Sequence, residues 1–193
     1  MHLQVTTAPT TQAVSDAEAV AHAKIDSDAA TADATLINDL VLTAIRWAER
    51  YCRRAFVTQT VTLTLDSSEF IAPFYIPLPP FIAVTSFNVY DIDDAATAIT
   101  SSNYRIIGLD PARIEMKGAG WSLSTSHGAA KLVYTAGYGA STTVPEDVKM
   151  AIRIKFTDLY EKRQNVVTGA VNDLKLAEEL LIDYRIGYLS SWT

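Results

Sequence analysis

Apolar positions along this chain change period twice. Over residues 34–53, Leu36, Ile37, Leu40, Val41, Ala44, Ile45, Ala48 and Cys52 recur at the i, i+3, i+4, i+7 spacing of an amphipathic helix. At Phe56 the period drops to two. Val57, Val61, Leu63 and Leu65 alternate with Thr58, Thr60, Thr62 and Thr64, the pattern of a strand with one buried face. Helical spacing returns after Val144. There Val148, Ala151, Ile152, Phe156, Leu159 and Tyr160 form one broad apolar face, with Met150 and Ile154 roughly opposite. Pro145, Glu146 and Asp147 suit the start of that helix, and Lys162 and Arg163 suit its negative end. A helix that is apolar on two sides needs neighbours on both, so it reads as the packing spine of a helical lobe.

The remaining elements fall around these three. Residues 1–14 are Thr-rich and polar and read as an extended arm. Ser15 and Glu18 match a capping box opening a short, Ala-rich helix to about residue 24, followed by a polar connector over 26–31. Between the long helices, Pro73, Pro77, Pro79 and Pro80 exclude a central strand and predict an extended edge segment. Strands are expected at 84–90 and 131–135, with a hairpin joining 104–107 to 113–116 across Gly108. A last helix is expected over 173–185. The chain is therefore read as α+β: a helical bundle from 15–55 and 144–187, with a small antiparallel β-sheet lobe inserted at 56–143 and a tail at 188–193.

Composition narrows the function classes. Hydrophobic residues make up 49% of the 193 positions and charged residues 20%, which suits a globular core. No apolar run approaches a membrane span, and no signal-peptide pattern opens the chain, so an intracellular origin and no membrane are expected. The net charge of −6, with no strongly basic segment, argues against nucleic-acid binding over the whole surface. A single cysteine, Cys52, allows no disulfide within the chain and no thiolate cage. His2, His22 and His127 are scattered without metal-ligand spacing, so no metal and no cofactor are expected. Ser126 beside His127 lacks a nucleophile elbow, and Gly137-Tyr138-Gly139 lacks the phosphate-loop elements, so the chain reads as a non-enzyme with no catalytic residues.

Four stretches, taken in order, resemble one family. They are Ser15-Asp16-Ala17-Glu18-Ala19 with Lys24-Ile25-Asp26; Leu36-Ile37 through Ala48-Glu49-Arg50-Tyr51 into Arg54-Ala55-Phe56-Val57-Thr58-Gln59-Thr60; Ile76-Pro77-Leu78-Pro79-Pro80 with Val84-Thr85-Ser86; and Tyr134-Thr135-Ala136-Gly137-Tyr138-Gly139, Val144-Pro145 and Tyr160-Glu161-Lys162-Arg163. With the closing Leu180-Leu181 and Tyr184-Arg185, their order and spacing over residues 15–185 resemble the head–tail connector, or head-completion adaptor, of tailed bacteriophages and prophage-derived particles. The resemblance implies a structural virion subunit at the neck. About twelve copies would form a homo-oligomeric ring under the portal protein, extend the DNA channel, and receive a neck stopper or tail-terminator protein on the opposite face. DNA would pass through without sequence-specific binding.

Candidate residues follow. Tyr188, Leu189 and Trp192 place anchor-type side chains on the tail and are the portal-contact candidates. Met150, Ile154, Glu161, Arg163, Arg46 and Arg50 are the subunit-interface candidates. Glu49 stands four residues before Arg53, the spacing of a favourable helix pair. Asp91, Asp93 and Asp94 lack the full calcium-loop pattern and are channel-facing candidates in a solvated turn. The alternative reading is a monomeric glycan- or peptide-binding module using Trp121, Tyr75 and Tyr90 of the β lobe.

Overall fold

A computed structural model of the chain describes residues 1–70, 74–117, 128–162 and 175–187. It is an α+β protein whose chain divides into a sheet unit, Met1–Thr10 with Val57–Tyr138, and a helical unit, Thr11–Phe56 with Gly139–Gly187.

In the sheet unit the described residues form an antiparallel sheet of five strands. These are β1 (His2–Thr7), β2 (Gln59–Leu65), β4 (Phe81–Tyr90), β5 (Ala96–Ala98) and β8 (Ala130–Ala136), in the order β1-β2-β8-β4-β5. The Thr alternation sets the register. Val61 lies opposite Tyr134 and Leu63 opposite Leu132, while Phe87 lies opposite Leu132 from the other side. All these side chains therefore share one face, and all are buried. The arm at the start of the chain is taken up as the edge strand β1, with His2 opposite Thr64 and Leu3 opposite Leu63.

A second, three-stranded sheet runs β3 (Phe74–Tyr75), β7 (Arg113–Met116) and β6 (Tyr104–Ile107). Phe70, Phe74, Phe87 and Tyr104 pack as an aromatic cluster with centroids 5.7 to 6.4 Å apart, tying β3 and β6 to β4. The Pro-rich stretch gives only the short strand β3 before Pro79 and Pro80, as their missing donors require; Pro73 lies outside the described residues. Strand β4 begins at Phe81, three residues earlier than the alternation predicts. Register shifts between Phe81 and Ala83 and between Val84 and Ser86 break the period there and hide the strand's start.

In the helical unit, α1 (Asp16–Ala23) opens on a complete capping box. The Ser15 hydroxyl accepts the Glu18 N–H at 3.3 Å, and the Glu18 carboxylate accepts the Ser15 N–H at 2.7 Å. These bonds hold the Glu18 carboxyl below its ordinary range. Ser15→Ala should cost about 1 kcal/mol in urea unfolding at neutral pH. Because the folded carboxyl titrates low, its contribution is present above the ordinary carboxylate range and fades as pH falls through the folded value. The gap between wild type and variant should therefore shrink in acid. The expected connector is a short helix, α2 (Ser27–Ala32). Its alanines favour helix but provide no apolar stripe, so periodicity does not reveal it.

Helix α3 (Ala34–Cys52) buries Ile37, Val41, Ala44, Ile45, Ala48 and Cys52. Helix α4 (Glu146–Glu161) buries Val148, Ala151, Ile152 and Phe156, with Leu159 and Tyr160 half-buried. The last helix is shorter than expected: α5 (Leu176–Leu181) passes into a 3-10 turn at Ile182–Tyr184, and positions 173 and 174 lie outside the described residues. The end of α3 and the segment after α5 meet where the Ile186 N–H donates to the Cys52 carbonyl at 3.1 Å.

Candidate functional site

Placement of the candidates begins on α3. Arg46 and Arg50 are exposed and one turn apart, with the Arg50 Nε donating to the Arg46 carbonyl at 3.3 Å. Among the described residues neither forms an ion pair. Glu49 does not serve the stripe as its spacing predicts. It turns inward, and its Oε1 accepts the Phe56 N–H at 3.1 Å. Burial pushes its carboxyl up, against the opposing pull of that bond and of Arg46. The helix-to-strand turn at residues 53–56 decides this: it carries a buried N–H back within reach of the side chain.

Beside the arginines lies a feature that periodicity alone does not single out. Trp47 and Tyr51 stack with centroids 5.9 Å apart and planes at 25°. The Lys155 Nζ sits 5.2 Å from the Trp47 ring centre, and the Arg185 Cζ sits 5.1 Å from that of Tyr51. The result is a cation–aromatic–aromatic–cation strip built from α3, α4 and the segment after α5. Its signal was present as an aromatic pair at i, i+4 on one helix flank, but its cations come from elsewhere in the sequence.

On α4, Met150 is 37% exposed and Ile154 is half-buried, so the expected second apolar side reaches the surface. Lys149, a polar position on the wheel, is buried and pairs with Glu146 at 2.9 Å. Glu146 also pairs with Arg153, and these cations lower its carboxyl. At the far end, the Tyr160 hydroxyl donates to Asp33 at 3.0 Å, Lys162 pairs with Asp158 at 2.8 Å, and Glu161 is exposed. Arg163 lies outside the described residues, as do Tyr188, Leu189, Trp192, Trp121, Ser126 and His127.

In the sheet unit the Asp91 carboxylate accepts the Asp93 and Ala95 N–H groups at 3.0 and 2.9 Å. It thereby shapes the turn, while Asp93 and Asp94 are exposed. Asp94 and Tyr90 line a cleft of about 310 Å³ with Thr64, Gly128 and Lys131. Tyr75 is half-buried on β3. Among the described residues no cluster of His, Cys, Asp or Glu is placed to hold a metal ion, and no helix is long and apolar enough to cross a membrane.

Neither a protein-family model nor a curated protein sequence matches the chain. Solved structures do. A chain from the virion of a native gene transfer agent particle superposes with a TM-score of 0.82 at 23% identity. A chain from the neck of the empty particle, computed with C6 symmetry, gives 0.82 at 23%, and one from the neck of the native particle, computed with C12 symmetry, gives 0.78 at 22%. Each match covers 100% of both chains. At this identity the likeness establishes a common architecture, and it extends over both units. This chain has the fold of a protein built into the neck of gene transfer agent particles.

Proposed function

We propose that the chain is a structural head–tail adaptor of a phage-like particle. It forms a ring at the neck, under a portal protein, that continues the DNA channel toward a stopper or tail protein. The observation that carries this reading is the end-to-end likeness to chains of gene transfer agent particles, two of them from necks computed with C6 and C12 symmetry. The family resemblance in the sequence points the same way. Assembly, not catalysis, is the mechanism. Copies stand side by side through heterologous contacts that close on themselves. Met150, Ile154, Glu161, Arg163, Arg46 and Arg50 are assigned to the contacts between copies. Tyr188, Leu189 and Trp192 supply aromatic and apolar anchors for the portal. Asp91, Asp93 and Asp94 are assigned to the lumen, where negative charge keeps the duplex from adhering.

Electron microscopy of necks from particles carrying this chain should show a closed ring of about twelve copies. A chain that stays monomeric and absent from the neck, yet binds a glycan or peptide, would move the assignment to the alternative module. The cleft beside Tyr90 is the observation that favours that second reading.

A further inference from the structure

The strip on α3 gathers positive charge, and the helical unit carries an acidic surface elsewhere. Arg46, Arg50, Lys155 and Arg185 form no ion pair among the described residues, although Arg46 lies near enough to Glu49 to draw on its carboxyl. Two of them rest on the Trp47–Tyr51 stack, which fixes their charge above a rigid apolar platform. The sign reverses elsewhere in the unit. Residues 15–33 hold Asp16, Glu18, Asp26, Asp28 and Asp33 against a single Lys24. Glu18, Asp26 and Asp28 are exposed.

These two surfaces lie on different flanks of the same helix. The Asn38 Nδ2 donates to the Asp16 carboxylate at 3.1 Å, so Asn38 marks the flank that faces α1. At about 100° per residue Arg46 lies about 80° around α3 from Asn38, Arg50 about 120° and Trp47 about 180°. Arg46 and Arg50 also stand about 12 and 18 Å along the helix from Asn38, so the cationic strip and the acidic surface pair with each other nowhere among the described residues. They can do so between molecules arranged head to tail, and that geometry generates rings. A chain of net charge −6 has little to gain by offering the strip to a duplex it must release, whereas an acidic flank of identical copies is always at hand.

We infer that the Arg46–Trp47–Arg50–Tyr51 strip, with Lys155 and Arg185, docks on the acidic α1–α2 flank of the adjacent copy. This deepens the ring reading and rests on it.

A charge swap tests it, using the full-length protein, native mass spectrometry and negative-stain images. Arg46→Glu with Arg50→Glu should raise the concentration needed for ring assembly at least about tenfold while leaving the thermal melt unchanged, because both side chains are exposed. Asp26→Lys with Asp28→Lys should weaken assembly alone and restore it when combined with the arginine reversals. Lys117→Glu with Lys131→Glu changes net charge equally and should leave assembly as it is. Raising salt well above about 0.15 M should weaken the wild-type ring. Rings that form unaltered by the reversals overturn the inference while the adaptor reading stands. So do reversals that spare the ring but abolish DNA retention, since they would assign the strip to the duplex. A wild-type chain that forms no ring, in solution or on particles, removes the adaptor reading and this contact with it.

Discussion

Gly137→Ala should unfold much of the sheet unit's stability. Gly137 has a φ of +127°, and a Cβ there would lie 2.6 Å from the carbonyl carbon and oxygen of Val57 and 2.8 Å from the Thr58 nitrogen. All three are backbone atoms of the segment leading into β2, so no side chain can swing aside. Its own N–H donates to the Pro80 carbonyl at 2.8 Å, which pins the residue just after β8. Strain in a region closed to L residues adds to the collision. The expected cost is on the order of 3 kcal/mol or more, read as a lower urea midpoint. Hydrogen exchange should show lost protection concentrated in peptides from 57–138. Gly187→Ala is the matched control: nothing among the described residues lies within 4 Å of its added Cβ, and its effect should stay within about 0.5 kcal/mol. Equal midpoints for the two variants would show that the close approach does not exist.

Phe156→Ala should have a comparable effect on the helical unit. The ring is fully buried on α4 and stacks on Tyr160 with centroids 6.0 Å apart. Tyr160 in turn reaches Asp33, the residue between α2 and α3. Removing the ring forfeits its burial, leaves a cavity and frees the tyrosine that ties the start of α3 to α4. Phenylalanine-to-alanine changes of this kind cost about 3–5 kcal/mol. Phe156→Leu, which fills most of the space, should cost markedly less. Protection should fall in peptides from α3 and α4. An alanine variant that melts with wild type would mean that α4 is not the packing spine its periodicity describes.

Local pattern revealed those elements whose cause is local. The Thr alternation of β2, the Ser15 capping box and the stripe of α3 each express burial or hydrogen bonding within a few residues. What stayed hidden depends on distant partners. Nothing in 2–7 announces that His2 pairs with Thr64, because an edge strand gains its partner from the fold and keeps its side chains exposed. The helix at 27–32 lacks a stripe, and β4 loses its period at two register shifts. The same division holds at the surface. The wheel placed Arg46 and Arg50 outside, but it assigned Glu49 to the helix pair rather than to the Phe56 N–H. It could not bring Lys155 and Arg185 to the Trp47–Tyr51 stack, since those contacts join residues more than 100 positions apart.

Cys52 has a consequence at the bench. It is the chain's single thiol, fully buried in α3, and burial pushes its pKa up to about 11. At neutral pH it is a protonated, shielded sulfur that maleimides reach slowly. The natural sequence is therefore already a quiet background for site-directed spectroscopy. A cysteine installed at an exposed position such as Ser101 takes the dye alone, so association between labelled copies can be followed without first deleting a native residue.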